Sequence, residues 1–122
     1  MNDEKHGRGC CPVDRFLDKI SGPWTTYILW LLRQNEVMRF GELRAAMPGI
    51  SPKVLTERLK RLEGDGLVSR DQRPTIPPQV YYRLTPRGQE LKDVLDGVGA
   101  LALRWADEDK TGAKESLQTC KP

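Results

Sequence analysis

The stretch SPKVLTERLKRLEGDG, from Ser51 to Gly66, reads as one short helix with both ends marked. The Ser51 hydroxyl can accept from the first backbone N–H groups, and Pro52 suits the first helical position, where its missing N–H is not needed. Gly66 supplies the residue that turns left-handed at the stop without steric cost. Leu55, Leu59 and Leu62 recur at i, i+4 and i+7, so they form one apolar stripe. Lys53, Thr56, Glu57 and Lys60 then fall on the opposite side, with Arg58 and Arg61 on the flanks. A helix fixed by leucines and presenting Lys, Thr and Arg outward suits a DNA major groove. Taken alone, such a face is also what a merely solvated helix shows, so the surroundings decide.

Upstream, Phe40 to Met47 carries Phe40, Leu43 and Met47 on one face of a short helix, and Pro48-Gly49-Ile50 is a tight linker into Ser51. Two short helices joined through a Pro-Gly turn, the second polar and basic outside, describe a helix-turn-helix. Downstream of Gly66 the apolar period changes from 3.6 to 2. Leu67 to Arg73 reads as a strand and Val80 to Leu84 as its partner, with Val80, Tyr82 and Leu84 inward and Tyr81 and Arg83 outward. The loop between them, Pro74-Thr75-Ile76-Pro77-Pro78, is held stiff and extended by its prolines. A stiff hairpin tip flanked by Arg70, Arg73 and Arg83 is a wing suited to backbone or minor-groove contacts. The competing reading is an ordinary hairpin with incidental arginines, which the preceding helix-turn-helix disfavours.

The remaining chain frames this unit. Val13 to Ile20, with Val13, Phe16, Leu17 and Ile20 at helical spacing, forms a first helix opened by Pro12 and broken by Ser21-Gly22-Pro23. Trp24 to Arg33 is apolar nearly all round and is expected at the buried centre, with Trp24 and Trp30 packing in the core rather than stacking on a ligand. Gln34-Asn35-Glu36 makes a turn and Val37-Met38-Arg39 a short strand. Thr85-Pro86 opens a long helix to about Ala106, in which Leu91, Val94, Leu95, Val98, Leu101, Ala102 and Trp105 recur at three- and four-residue steps. So long a stripe exceeds what one small subunit covers, and part of it is read as a dimer interface. Gly97 and Gly99 fit either close approach of a second backbone or plain tolerance. The expected organisation is a flexible tail over 1–10, one domain over 11–106, and a second flexible tail over 107–122.

With 122 residues and 30% of them charged, the chain suits a single soluble domain. No run approaches the ~20 apolar residues of a membrane span, and the N-terminus lacks a signal-peptide pattern, so a cytoplasmic location is expected. Between Val37 and Arg87 lie ten Lys or Arg and five Asp or Glu, whereas the rest of the chain is slightly acidic. The positive excess thus sits on the segment with the reading helix, as expected of a nucleic-acid surface. Cys10, Cys11 and Cys120 are an odd set with no C-x-x-C, and His6 stands alone, so neither a disulfide framework nor a metal site is expected. There is no Ser/His/Asp set, paired-carboxylate site or glycine-rich phosphate cradle, so no enzyme and no cofactor are expected.

CPVDRFLDKISGPWTTYILWLL, RFGELRAAMPGISPKVLTERLKRLEGDGLVSR and PPQVYYRLTPRGQEL, in this order, resemble the HxlR family of bacterial transcription regulators, winged-helix proteins related in architecture to the MarR group. The resemblance runs from Cys11 to about Trp105, and the ISPKVLT and RLTPRG segments make it specific. It implies a mainly helical α+β fold: a winged helix-turn-helix with a two-stranded wing and terminal dimerisation helices, Val13 to Ile20 and Pro86 to Trp105. It also implies a homodimer on a two-fold-related operator in double-stranded DNA. Two departures stand out. Pro23 occupies a position where the family usually has lysine, and Cys10 is extra beside Cys11, which matches the family's common N-terminal cysteine. Some members of the family use that cysteine to sense electrophiles or oxidants.

The expected DNA-facing set is therefore Ser51, Lys53, Thr56, Glu57, Lys60 and Arg61 on the helix and Arg70, Arg73 and Arg83 on the wing. Cys11 precedes a helix N-terminus, where the dipole favours a thiolate, so it is either a thiol sensor or an inert cysteine, with Cys10 and Cys120 as candidate redox partners. The alternative function is a winged-helix module that binds protein instead of DNA. It would need an apolar patch where this chain carries its basic excess.

Overall fold

A computed structural model describes residues 11–112, which fall into two compact units divided between Gln89 and Glu90. Among the described residues the first unit contains five helices and three strands: α1 (Pro12–Ile20), α2 (Thr25–Asn35), β1 (Val37–Arg39), α3 (Phe40–Ala46), α4 (Pro52–Gly64), β2 (Val68–Arg73), β3 (Gln79–Leu84) and α5 (Pro86–Gln89). The second is α6 (Lys92–Gly112). The expected tails over 1–10 and 113–122 lie outside the described residues. No described helix is long and apolar enough to cross a membrane.

The centre of the first unit is α2, which buries Thr25, Ile28, Leu29 and Leu32. Ile20, Met38, Leu43, Met47, Ile50, Leu55, Leu59, Leu62, Leu67, Val68, Tyr82 and Leu84 complete its core. Trp24, Tyr27 and Trp30 are only half-buried, so the aromatic side of α2 is not the innermost one. Trp24 takes a left-handed backbone (φ 71°) as the residue capping α2, and its ring stacks on Tyr27. The Tyr27 hydroxyl donates to the Ala46 carbonyl (2.8 Å), tying α2 to the end of α3. The helix also continues to Asn35, through residues expected to turn, and stops at Glu36 in a positive-φ conformation.

The sheet is antiparallel in the order β1-β3-β2. The wing hairpin is thus extended to three strands by Val37–Arg39, with Met38 opposite Tyr82. Because side chains alternate across a strand and directly opposed residues share a face, Met38, Val68, Arg70, Tyr82 and Leu84 lie on one side. Ser69, Asp71, Arg73, Tyr81 and Arg83 lie on the other.

The long helix expected from Thr85 to Ala106 is interrupted. Thr85 does cap a helical turn, its Oγ1 accepting from Gly88 N (3.0 Å), but that turn is clamped to the start of β2. Thr85 Oγ1 donates to Gly66 O (2.6 Å) and Thr85 N to Leu67 O (3.0 Å). α5 ends at Gln89, and α6 begins at Lys92 and extends six residues past the expected end at Ala106. Along α6, Val94, Val98, Leu101 and Trp105 form an exposed apolar stripe, and space is open around the Gly97 α-carbon.

Gly88 sits so close to the β2 backbone that a Cβ there would lie 2.2 Å from Leu67 O. Gly88→Ala is expected to destabilise the fold by ~1–3 kcal/mol, as overpacking does, in a urea titration followed by circular dichroism. An unchanged midpoint would mean that the α5 clamp yields freely.

Candidate nucleic-acid interface

The site is organised by α4. Ser51 caps it as the sequence predicts, its Oγ accepting from Val54 N at 3.1 Å, with Pro52 at the first helical position. At the other end Gly66 takes φ 77°, Gly66 N donates to Glu63 O (3.0 Å) and Leu67 N to Leu62 O (3.0 Å). This reciprocal closure satisfies two orphan carbonyls and passes the chain straight into β2. Leu55, Leu59 and Leu62 are all buried to within 1%. Burying that stripe turns Lys53, Glu57 and Lys60 to solvent and leaves Thr56 half-exposed beside them. α3 and α4 are joined by Met47–Ile50, with Gly49 at φ 93° and Ile50 N donating to Met47 O (3.1 Å).

The wing arginines do not share a surface. Arg70 projects on the face of Tyr82 and lines a cleft of about 410 Å³ with Thr56, Leu59, Lys60, Glu63, Val80 and Phe40. Lys60 and Arg70 therefore converge from helix and wing on one cleft. Arg73 and Arg83 stand on the opposite face. Arg73 Nε donates to Asp71 Oδ2 at 2.9 Å, and the guanidinium lies 4.7 Å from the centre of the Tyr81 ring. The Asp71 hydrogen bond, then its negative charge, raise the Arg73 pKa further above its usual value. The hairpin tip, Pro74–Pro78, is exposed.

The flank residues behave differently from the outward set. The Arg61 guanidinium reaches back to the Asp18 carbonyl of α1 (3.4 Å). Arg58, which is not among the DNA-facing residues expected from the sequence, donates through Nε to Pro23 O at 2.9 Å. No local pattern signals either bond, since they join residues 43 and 35 positions apart.

Cys11 is exposed and occupies the position that caps α1, its carbonyl accepting from Arg15 N (3.0 Å). Its side chain makes no capping bond. Cys10 and Cys120, the other candidate redox residues, lie outside the described residues.

A family model described as HxlR-like helix-turn-helix matches residues 19–110. The uncharacterised HTH-type transcriptional regulator sll1512 of Synechocystis is 38% identical over 99 residues, covering 81% of this chain and 73% of that protein. Among solved structures, the redox regulator HypR in its reduced form superimposes with a TM-score of 0.71 at 31% identity, covering 87% of this chain and 99% of that one. The reduced form of the transcriptional regulator YodB from B. subtilis gives a TM-score of 0.66 at 34% identity, covering 80% and 92%.

The Ser51 cap contributes to placing the first turn of α4. Ser51→Ala is expected to lower stability by ~1 kcal/mol, read in a denaturant titration, and to speed amide exchange at Val54. Unaltered exchange there would show that the cap is dispensable.

Proposed function

Because the chain belongs to the HxlR-like helix-turn-helix family of transcriptional regulators, we propose that it acts as a homodimer that binds a two-fold-related operator in double-stranded DNA, in the cytoplasm. The observation that carries this reading is the outward face of α4, with Lys53, Thr56, Glu57 and Lys60 opposite a fully buried leucine stripe. A 13-residue helix is about 20 Å long, and the major groove is wide enough to admit it. In that position Thr56 and Glu57 discriminate bases, while Lys53 and Lys60 meet base edges or phosphates. Arg70 joins Lys60 on the strand that passes between helix and wing, and Arg83 and the tip meet the flanking backbone. Arg73, already paired with Asp71, contributes less to phosphate binding.

The dimer rests on exposed apolar faces. α1 exposes Val13, Phe16 and Leu17, and α6 exposes Val94, Val98, Leu101 and Trp105. A second layer of the proposal is control by a thiol-directed oxidant or electrophile at Cys11, supported by its exposure at the start of α1 and by the likeness to the redox regulator HypR and to the reduced form of the transcriptional regulator YodB. In disulfide formation two thiols lose two electrons to the oxidant and release two protons.

Fluorescence anisotropy of the reduced protein on duplexes from upstream of its own and neighbouring genes, beside a scrambled duplex, tests the DNA reading. Preference for one native duplex with steep salt dependence is expected. Equal, weak binding to every duplex would favour the protein-binding module instead. Lys60→Ala and Arg70→Ala are each expected to reduce the slope of log K against log salt by about one unit, and Arg73→Ala by less.

Oxidant-dependent release from the duplex is expected to disappear in Cys11→Ser. Release that persisted in this variant would remove Cys11 as the sensor.

A further inference from the structure

The carbonyls at the end of α1 are distributed among specific donors. Leu17 O accepts from Ser21 N (2.8 Å) and Ser21 Oγ, and Ile20 O accepts from Thr26 Oγ1 (2.6 Å). Asp18 O accepts from Arg61, and Pro23 O, in the linker that follows, accepts from Arg58. The last carbonyls of a helix have no partner within it, and they carry the negative end of its dipole, so cationic donors are favoured there. A reciprocal ion pair joins the same two elements, Lys19 Nζ to Asp65 Oδ1 at 3.9 Å, from the last turn of α1 to the residue that caps α4.

We infer that Arg58 and Arg61 are positioning residues for DNA recognition: the reading helix itself supplies the C-terminal cap of α1 and of its linker, and this brace fixes the angle at which α4 is presented. The inference rests on the DNA reading proposed above and takes Arg61 out of the direct-contact set. The leucine stripe fixes which face of α4 points outward but leaves it able to rock along its axis. Arg58 and Arg61 lie on one flank of α4, three residues apart, and hold two points on α1 and the linker beyond it. Both bonds lie between the buried stripe and the outward face, where they oppose such rocking. The Arg58 bond, at 2.9 Å, is the stronger of the two.

The test compares full-length wild type, Arg58→Gln and Arg61→Gln on the native and scrambled duplexes across a salt series, together with amide exchange between Lys19 and Thr25. Arg58→Gln is expected to weaken native-duplex binding about tenfold, the scale of one lost charge-assisted hydrogen bond. The salt slope and scrambled-duplex affinity stay as in wild type, and exchange between Lys19 and Thr25 accelerates. Arg61→Gln acts in the same direction and more weakly, and serves in place of Arg58→Gln should that variant fail to fold. A slope lower by about one unit, with both duplexes weakened equally, would mark a phosphate contact and overturn the brace. So would unchanged exchange. If wild type itself shows no native-duplex preference, the DNA reading fails while the exchange arm still decides whether the brace exists.

Discussion

Burial of Leu55, Leu59 and Leu62 is the constraint on which the rest of the candidate interface depends. Three leucines removed from water on one side of a helix fix its rotation about its own axis, because any substantial roll would exchange a leucine for Arg58 on one flank or Glu63 on the other. Burying one of those unpaired is far more costly than the leucine it displaces. The outward face is therefore a by-product of core packing. Where the helix starts and stops is set separately, by Ser51 at one end and the Gly66–Leu67 closure at the other. The same closure starts β2, and Thr85 returns to grip Gly66 and Leu67, so the wing is built directly onto the end of α4.

Sheet geometry then sorts the wing. Arg70 opposes Tyr82 and so points to the side where α4 lies, whereas Arg73 opposes Gln79 and Arg83 opposes Ser69 on the reverse side. Only Arg70 can act together with Lys60. Arg73 is held by Asp71 and Tyr81 at the end of the hairpin that adjoins its proline-rich tip. In the proposed complex, a wing with one arginine toward the helix and two away from it would meet two different stretches of DNA backbone.

What was legible in the sequence follows the range of the interactions. The ends of α4, the leucine stripe, the helix-turn-helix and the hairpin are local, encoded by residues within a few positions of one another, and each appears in the structure. Alternation within a strand is legible too, but the register that sets Arg70 apart from Arg73 and Arg83 is a pairing between strands. The break between α5 and α6 escaped periodicity because its surroundings are tertiary. Leu67 O stands where a Gly88 side chain would be, and the Thr85 cap is committed to Gly66. The bonds of Arg58 and Arg61 escaped for the same reason. Their partners are backbone carbonyls, which every residue has, so no residue type on α1 or its linker signals the pairing.

α1 has nine residues, too few to be stable alone in water, and of its apolar side chains only Ile20 is buried. Within the first unit its C-terminal end is held by Ser21, Thr26 and the flank of α4. Val13, Phe16 and Leu17 remain in solvent. A helix anchored at one end and apolar along its open side is completed by another surface, which is what the proposed homodimer supplies. If the dimer closes over that side, the brace becomes the route by which subunit geometry reaches the reading helix. The distance between two copies of α4 would then be set at α1, and a change at Cys11, on the far end of the same helix, would act on DNA through the orientation of α1 rather than through any contact of its own.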